Sequence, residues 1–318
     1  MNRLALFVAV MITLPAHAQT YPSRPIKMIT QFSAGSGGDN LTRVVSAAMQ
    51  EVMGQPVVIE NRAGAGGVQA AEAIARSASD GYTIGALTPG VVIVRVVAGT
   101  KFSIDPQKDL VPLTAVGSTP SFIVAHPSAP VNTLRELIDY ARKNPGKLTN
   151  ASSSNGSPGH VGGELFKYMT ATEIVHVPYR GGAPAITDLI AGHVDLMFES
   201  LQSIAPFARD GKVRALGVSG AARSPAFPEL PTIAEAGVPG YLAPTWTGVI
   251  APAGMSRPIV DRLNAAINKA LASEAFKEKF AKIGDEPAGG TPEEFAATIK
   301  ADSAKWEEVV RRSGARLD

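Results

Sequence analysis

Two periodicities alternate along the chain. Short continuous apolar runs, from Ile26 to Phe32, Pro56 to Glu60 and Tyr82 to Leu87, read as buried strands, the third entered through the turn Asp80-Gly81. Between them, Leu41, Val44, Val45, Ala48 and Met49 recur at helical spacing and give one apolar face, and a second helix is predicted around Ala70 to Ala75. A second series begins near Phe122 to His126. Its first helix is announced by the capping box Thr133-x-x-Glu136 ahead of Leu137, Ile138 and Ala141, and Asn144-Pro145-Gly146 stops it. Runs at Leu148 to Ser152, Ile174 to Tyr179, Val194 to Phe198 and Val213 to Val218 predict further strands. The end of the chain is helical: Ser256 precedes Val260, Leu263, Ile267 and Leu271, and Thr291-Pro292-Glu293-Glu294 caps a helix anchored by Phe295, Ile299, Trp306 and Val310.

Alternating strand and helix predicts an α/β protein with mostly parallel sheets flanked by helices. Two such series predict two lobes around a cleft. The Pro-rich passage from Ser224 to Pro244 reads as a connection between them. The expected division is residues 19–121 and 230–318 for the first, discontinuous lobe and 122–229 for the second.

The N-terminus has a different pattern. Arg3 supplies a positive start, Leu4 to Leu14 is apolar except for Thr13, and Ala16-His17-Ala18 is a small-x-small cleavage pattern. Together they predict a secretory signal peptide over residues 1–18, cut after Ala18, and hence a periplasmic mature chain. The apolar stretch is too short for a bilayer-spanning helix, which needs about 20 residues.

Composition narrows the chemistry. The chain has 318 residues, 30 Lys and Arg against 28 Asp and Glu, and a net charge of +2, with no basic run of the kind a nucleic-acid binder carries. It has no cysteine, which excludes thiolate metal sites, disulfides and a cysteine nucleophile. His126, His160, His176 and His193 lack metal-ligand spacing, and neither G-x-S-x-G nor H-E-x-x-H occurs. No cofactor and no metal are expected.

Candidate chemistry gathers at the carboxyl ends of the predicted strands, where open α/β sheets bind ligands. Phe32-Ser33-Ala34-Gly35-Ser36-Gly37-Gly38-Asp39 joins strand to helix, and reads either as an anion cradle of backbone N–H groups at a helix start or as a plain turn capped by Asp39. Ser152 to His160, with Gly156 and Ser157, reads either as a second cradle or as a solvent loop with a serine cap. Arg180, in Tyr179-Arg180-Gly181-Gly182, has the chemistry to pair with a carboxylate, or is a surface residue. Glu199 either meets a ligand hydroxyl or amino group or caps the next helix. The glycines from Gly64 to Gly67 lack the last glycine of a nucleotide motif, Gln69 standing in its place, and read as a structural turn that fixes the helix on the sheet or, second, as a ligand contact.

These residues resemble a known family. Tyr21-Pro22-Ser23-Arg24-Pro25-Ile26, the Gly35 to Asp39 loop with Arg43, Gly54-Gln55-Pro56-Val57-Val58, Glu60-Asn61-Arg62, Asp80-Gly81-Tyr82-Thr83, Val175 to Gly182, Pro231-Thr232, Ala251-Pro252-Ala253-Gly254 and Gly289 to Phe295 resemble the substrate-binding proteins of tripartite tricarboxylate transporters, the Bordetella uptake family. The resemblance implies a two-lobed, flytrap-like periplasmic receptor, a monomer and not an enzyme. It would bind a small carboxylate and deliver it to a membrane permease of two subunits. By matching position, the ligand residues it implies are Ser33, Ala34, Gly35 and Asp39 from one lobe and Gly156, Ser157, His160, Tyr179, Gly181 and Glu199 from the other. Two departures stand out: Ser36 follows Gly35 where the family commonly has adjacent glycines, and Glu199 stands where it often has Asp. The rival readings are a receptor that presents its closed form to a sensor protein, and an exported hydrolase built on Ser157 and His160.

Overall fold

A computed structural model describes residues 21–98, 103–243, 245–282 and 286–313; the expected leader at 1–18 lies outside them. The chain runs β1 (Ile26–Thr30), α1 (Gly37–Met53), β2 (Val57–Asn61), α2 (Val68–Ala75), β3 (Thr83–Leu87), α3 (Gly90–Ala98), β4 (Leu110–Thr119), β5 (Ser121–Ala125), α4 (Leu134–Lys143), β6 (Thr149–Ser152), α5 (Pro158–Thr170) and β7 (Val175–Pro178). It continues with α6 (Gly182–Ile190), β8 (Leu196–Ser200), α7 (Leu201–Arg209), β9 (Arg214–Val218), β10 (Thr245–Pro252), α8 (Arg257–Leu271), α9 (Glu274–Lys282), β11 (Glu286–Gly289) and α10 (Pro292–Ser313).

Two sheets form, ordered β11-β4-β10-β3-β1-β2 and β7-β6-β8-β5-β9. The βα strands pair parallel, with Met28 opposite both Ile59 and Ile84 in the first sheet and Ala151 opposite Val177 and Met197 in the second. Most strands of each sheet share this direction, and a minority run against it. β10 and β11 run antiparallel to their neighbours in the first sheet, and β5 lies antiparallel between β8 and β9 in the second. The reason is connectivity. The chain leaves the first sheet through β4 and enters the second through β5 with only Pro120 between them, so β5 meets the βα strands from the opposite end.

The return crossing also differs from the expected boundary at 229/230. Ile233, Val238, Tyr241 and Ala243 are buried with Leu165, Phe166 and Phe198 of the second sheet's core, and the chain rejoins the first sheet at Thr245. A proline-rich composition looks like a linker, but these apolar side chains dock it.

Local signals explain the helices. Ser36 caps α1, its hydroxyl accepting from Asp39 N at 3.3 Å, and Gly54 ends it in the left-handed conformation. Leu41, Val45 and Met49 of α1 then pack on Met28, Val57 and Ile84 and meet Val260, Leu263 and Ile267 of α8. Each fully buried aliphatic side chain of this kind contributes about 1.5–3 kcal/mol. Thr291 and Glu294 form a reciprocal capping box at α10, with Thr291 N donating to Glu294 Oε2 at 2.7 Å and Glu294 N to Thr291 Oγ1 at 3.1 Å. No helix among the described residues is long and apolar enough to cross a membrane.

Candidate functional site

The loops after β1 and β6 carry the same seven-residue pattern, S-x-G-S-x-G followed by Asp or His: Ser33 to Asp39 and Ser154 to His160. They fold alike. In each, the second serine's N–H donates to the first serine's carbonyl at 3.1 Å (Ser36 to Ser33, Ser157 to Ser154). In each, that second serine caps the following helix, accepting from Asp39 N at 3.3 Å and from His160 N at 3.4 Å. In each, the first glycine has a left-handed backbone, Gly35 at φ 78° and Gly156 at φ 72°. The second glycine lets the helix start close to its strand: a methyl on Gly38 would lie 2.3 Å from the Phe32 ring, and one on Gly159 would lie 2.2 Å from the Phe198 carbonyl oxygen. This internal correspondence is the signal that reading each loop by itself missed.

Asp39 and His160 occupy equivalent places and do the same work. Asp39 Oδ2 accepts the Gly35 N–H at 2.8 Å and Arg43 Nε at 2.9 Å, while Oδ1 accepts Asn61 Nδ2 at 2.7 Å. His160 Nδ1 accepts the Gly156 N–H at 3.0 Å. Both side chains are buried and hold their loop rather than offering a free group. The N–H groups of Gly35 and Gly156 are likewise taken. Among the described residues no partner takes the N–H of Ser33, Ala34 or Gly37 in the first loop, or of Asn155 or Gly159 in the second. These are the donors that a bound anion would find at the starts of α1 and α5.

The electrostatics follow from this geometry. Burial works to raise the Asp39 pKa, but the hydrogen bonds from Arg43, Asn61 and Gly35 outweigh it and hold the carboxylate below its ordinary range. His160 stacks on His176 with ring centroids 3.9 Å apart. Burial, the His176 ring and Lys167 lower the His160 pKa to about 3, and burial and Lys167 lower that of His176 to about 4. Both rings are therefore neutral. Ser152 Oγ donates to the Ser154 carbonyl at 3.0 Å, so His176 Nε2, 2.6 Å away, is the donor to that oxygen. A Ser157–His160 nucleophile pair is not assembled. Ser157 Oγ faces the backbone N–H of His160, the ring's Nδ1 is engaged by Gly156, and both residues are buried.

The remaining predicted residues lie at the ends of β7 and β8. Tyr179 turns its hydroxyl to its own lobe, donating to Asp188 Oδ2 at 2.7 Å; burial and then Asp188 push its pKa up to about 12. Gly181 N donates to the Ser153 carbonyl at 2.8 Å, and its φ of 124° favours glycine at the start of α6. Arg180 beside it is exposed and has no ion pair among the described residues. Glu199 Oε1 accepts both Ser200 N at 2.8 Å and Ser200 Oγ at 3.0 Å. Burial raises its pKa against these two hydrogen bonds.

The two lobes touch at these loops. A methyl on Gly156 would lie 2.1 Å from Val94 Cγ2 of α3, and one on Gly66 would lie 3.3 Å from the Asn155 carbonyl oxygen. A methyl on Gly90 would come 2.7 Å from the Gly66 carbonyl oxygen and 3.2 Å from that of Gly156. On the other side, a methyl on Gly181 would lie 3.8 Å from Ser33 Oγ. The glycines from Gly64 to Gly67, read from sequence as a structural turn, thus supply part of the lobe junction. Gly90 and Val94 belong to a run dominated by valine, and only the fold reveals their place.

Comparison with known proteins agrees with this architecture. Residues 41–315 match the family described as tripartite tricarboxylate transporter family receptor. Protein BugT of Bordetella pertussis is 38% identical over 318 residues, covering 99% of this chain and 97% of its own. Among solved structures, Rpa4515 of R. palustris with adipate superposes with a TM-score of 0.87 at 39% identity, covering 93% of this chain and all of its own. MatC from Rhodopseudomonas palustris with bound malate superposes with a TM-score of 0.84 at 31% identity, covering 91% and 100%. The family is one of solute receptors and not of enzymes, and the paired loops, the two mixed sheets and the match along nearly the whole chain place this protein in it: the chain belongs to the TctC family of tripartite tricarboxylate transporter receptors.

Proposed function

We propose that this protein is a periplasmic solute receptor that closes its two lobes on a small carboxylate and hands it to a tripartite tricarboxylate-type membrane permease. The observation that carries the reading is the pair of S-x-G-S-x-G loops, one from each sheet and both at the lobe junction, each with helix-start N–H groups that no partner takes among the described residues. Backbone donors at helix starts bind an anion without a buried cation that would stand unpaired in the empty cleft. The ligands of two relatives, adipate for Rpa4515 and malate for MatC, are both dicarboxylates and support the same class here. Ligand that prefers the closed arrangement shifts the lobes toward it by its differential affinity.

A thermal-shift and calorimetry screen tests this on the mature chain, unfolded and refolded to remove carried-over ligand. Mono-, di- and tricarboxylates are compared with their neutral amides. A carboxylate at about 100 times its dissociation constant stabilises by about 2.7 kcal/mol, and its amide gives no shift. Equal response to acid and amide overturns the reading. Loss of uptake of that carboxylate in a deletion strain then tests the transport role.

A further inference from the structure

Glu199 departs from the other groups at the junction. The buried or half-buried groups Asp39, His160 and Tyr179 each serve their own lobe, and Arg180 stands exposed. Glu199 serves its loop with one oxygen only: Oε1 takes both donors of Ser200, and Oε2 has no partner among the described residues. No cation lies within ion-pair distance of it among them either. Oε2 lies against the start of α6, where a methyl on Gly182 would be 3.3 Å away, and the preceding Gly181 is the residue that approaches Ser33 of the opposite lobe. A carboxylate oxygen at such a junction is dehydrated further when a ligand enters, and its lone pairs then need a donor.

We propose that Glu199 makes the cleft selective for carboxylates that also carry a hydrogen-bond donor, a hydroxyl or an ammonium group, at the point facing Oε2. This rests on the carboxylate-receptor reading above. The Ser200 donors at Oε1 and the helix starts of α6 and α7 favour the charged form. Burial opposes it, and a ligand donor tips the balance toward the charged form by bonding to it. A ligand with a second carboxylate at that point places two acceptors face to face.

The test uses matched ligands that differ at one carbon: succinate, malate and aspartate, with glutarate, 2-hydroxyglutarate and glutamate as a longer series. Wild-type protein is expected to bind a hydroxy or amino member at least about tenfold tighter than the unsubstituted acid, the size of a hydrogen bond to a charged group. Glu199→Gln sharpens the test. The Ser200 donors hold the amide oxygen at Oε1, so the amide nitrogen is presented in place of Oε2, and an acceptor becomes a donor. The variant should then prefer the unsubstituted acid, with its ligand-free melting temperature confirming that it folds. Equal affinities within each wild-type series overturn the proposal while leaving the carboxylate reading intact. So does an unchanged ranking in Glu199→Gln, which would mean that Oε2 already carries a proton. If neither series nor any other carboxylate binds, the receptor reading itself falls and takes this inference with it.

Discussion

Asp39 and His160 hold equivalent turns in the two lobes, one with a charged group and one with a neutral ring, and the difference has a consequence for acid stability. The unfolded chain protonates its histidines below a pH of about 6.5. The folded chain resists until about 4 for His176 and about 3 for His160, because burial of His160 and partial burial of His176, with the Lys167 charge nearby, disfavour the charged rings. Between those limits the unfolded state holds more protons. The contribution is therefore complete above about pH 6.5 and is lost as pH falls, with each ring adding a slope of up to about 1.4 kcal/mol per pH unit. Asp39 adds a second loss at lower pH, since a depressed carboxylate stabilises above its unfolded pKa and ceases to as pH drops through its folded one. Urea unfolding at pH 7, 6 and 5 should show the midpoint falling throughout, and His176→Gln should remove about half of that slope. A midpoint constant over this range would show the two rings titrating alike in the folded and unfolded chain.

Among the elements, legibility followed the physical signal. β1 to β3 and α1 were readable because their apolar runs and helical faces are continuous, and Thr133 and Ser256 marked their helix starts where the structure has them. β4 was missed because Pro112 and Gly117 interrupt it, and β10 because Gly248 lies in its middle, where a methyl would lie 2.0 Å from the Phe295 ring. α3 is built of valine and isoleucine, which favour strands by propensity and are helical here by tertiary packing. That helix carries Val94 to the lobe junction, and Gly156 receives it. Gly156→Ala is predicted to keep the fold at a cost of about 1 kcal/mol for the left-handed backbone. It should also hold the lobes apart, because a methyl at 2.1 Å from a stiff valine cannot be accommodated in place. Calorimetry should then show at least about tenfold weaker ligand binding, partly restored by adding Val94→Ala. Affinity unchanged in Gly156→Ala would mean that this contact plays no part in closure. Gly35 is the instructive contrast. It has an equally left-handed backbone, but a methyl there meets nothing within 4 Å, so a substitution strains the turn without wedging the lobes.

Among the described residues, three connections cross between the sheets: the chain at Pro120, the chain again between Ala243 and Thr245, and α10. That helix buries Phe295 and Ile299 with the first sheet and Trp306 and Val309 with the second. The two chain crossings are tied together by Ser219 at the end of β9, which is fully buried. Its N–H donates to the Ser121 carbonyl at 2.8 Å, and its carbonyl accepts Ala243 N at 3.1 Å. Its hydroxyl accepts Ser121 N at 2.7 Å and donates to the Ala243 carbonyl at 3.2 Å. One residue, through backbone and hydroxyl alike, thus ties both crossings, where hinge closure must concentrate its backbone changes. Ser219→Ala leaves a buried N–H and a buried carbonyl without those partners, a cost of about 1–3 kcal/mol. The loss falls at the edge of the second lobe, where both crossings leave it. Small-angle scattering of the ligand-free variant should therefore show a larger radius of gyration than wild type, with the two converging once ligand clamps the lobes. Superimposable ligand-free curves would place the hinge's stiffness in α10 and not in Ser219.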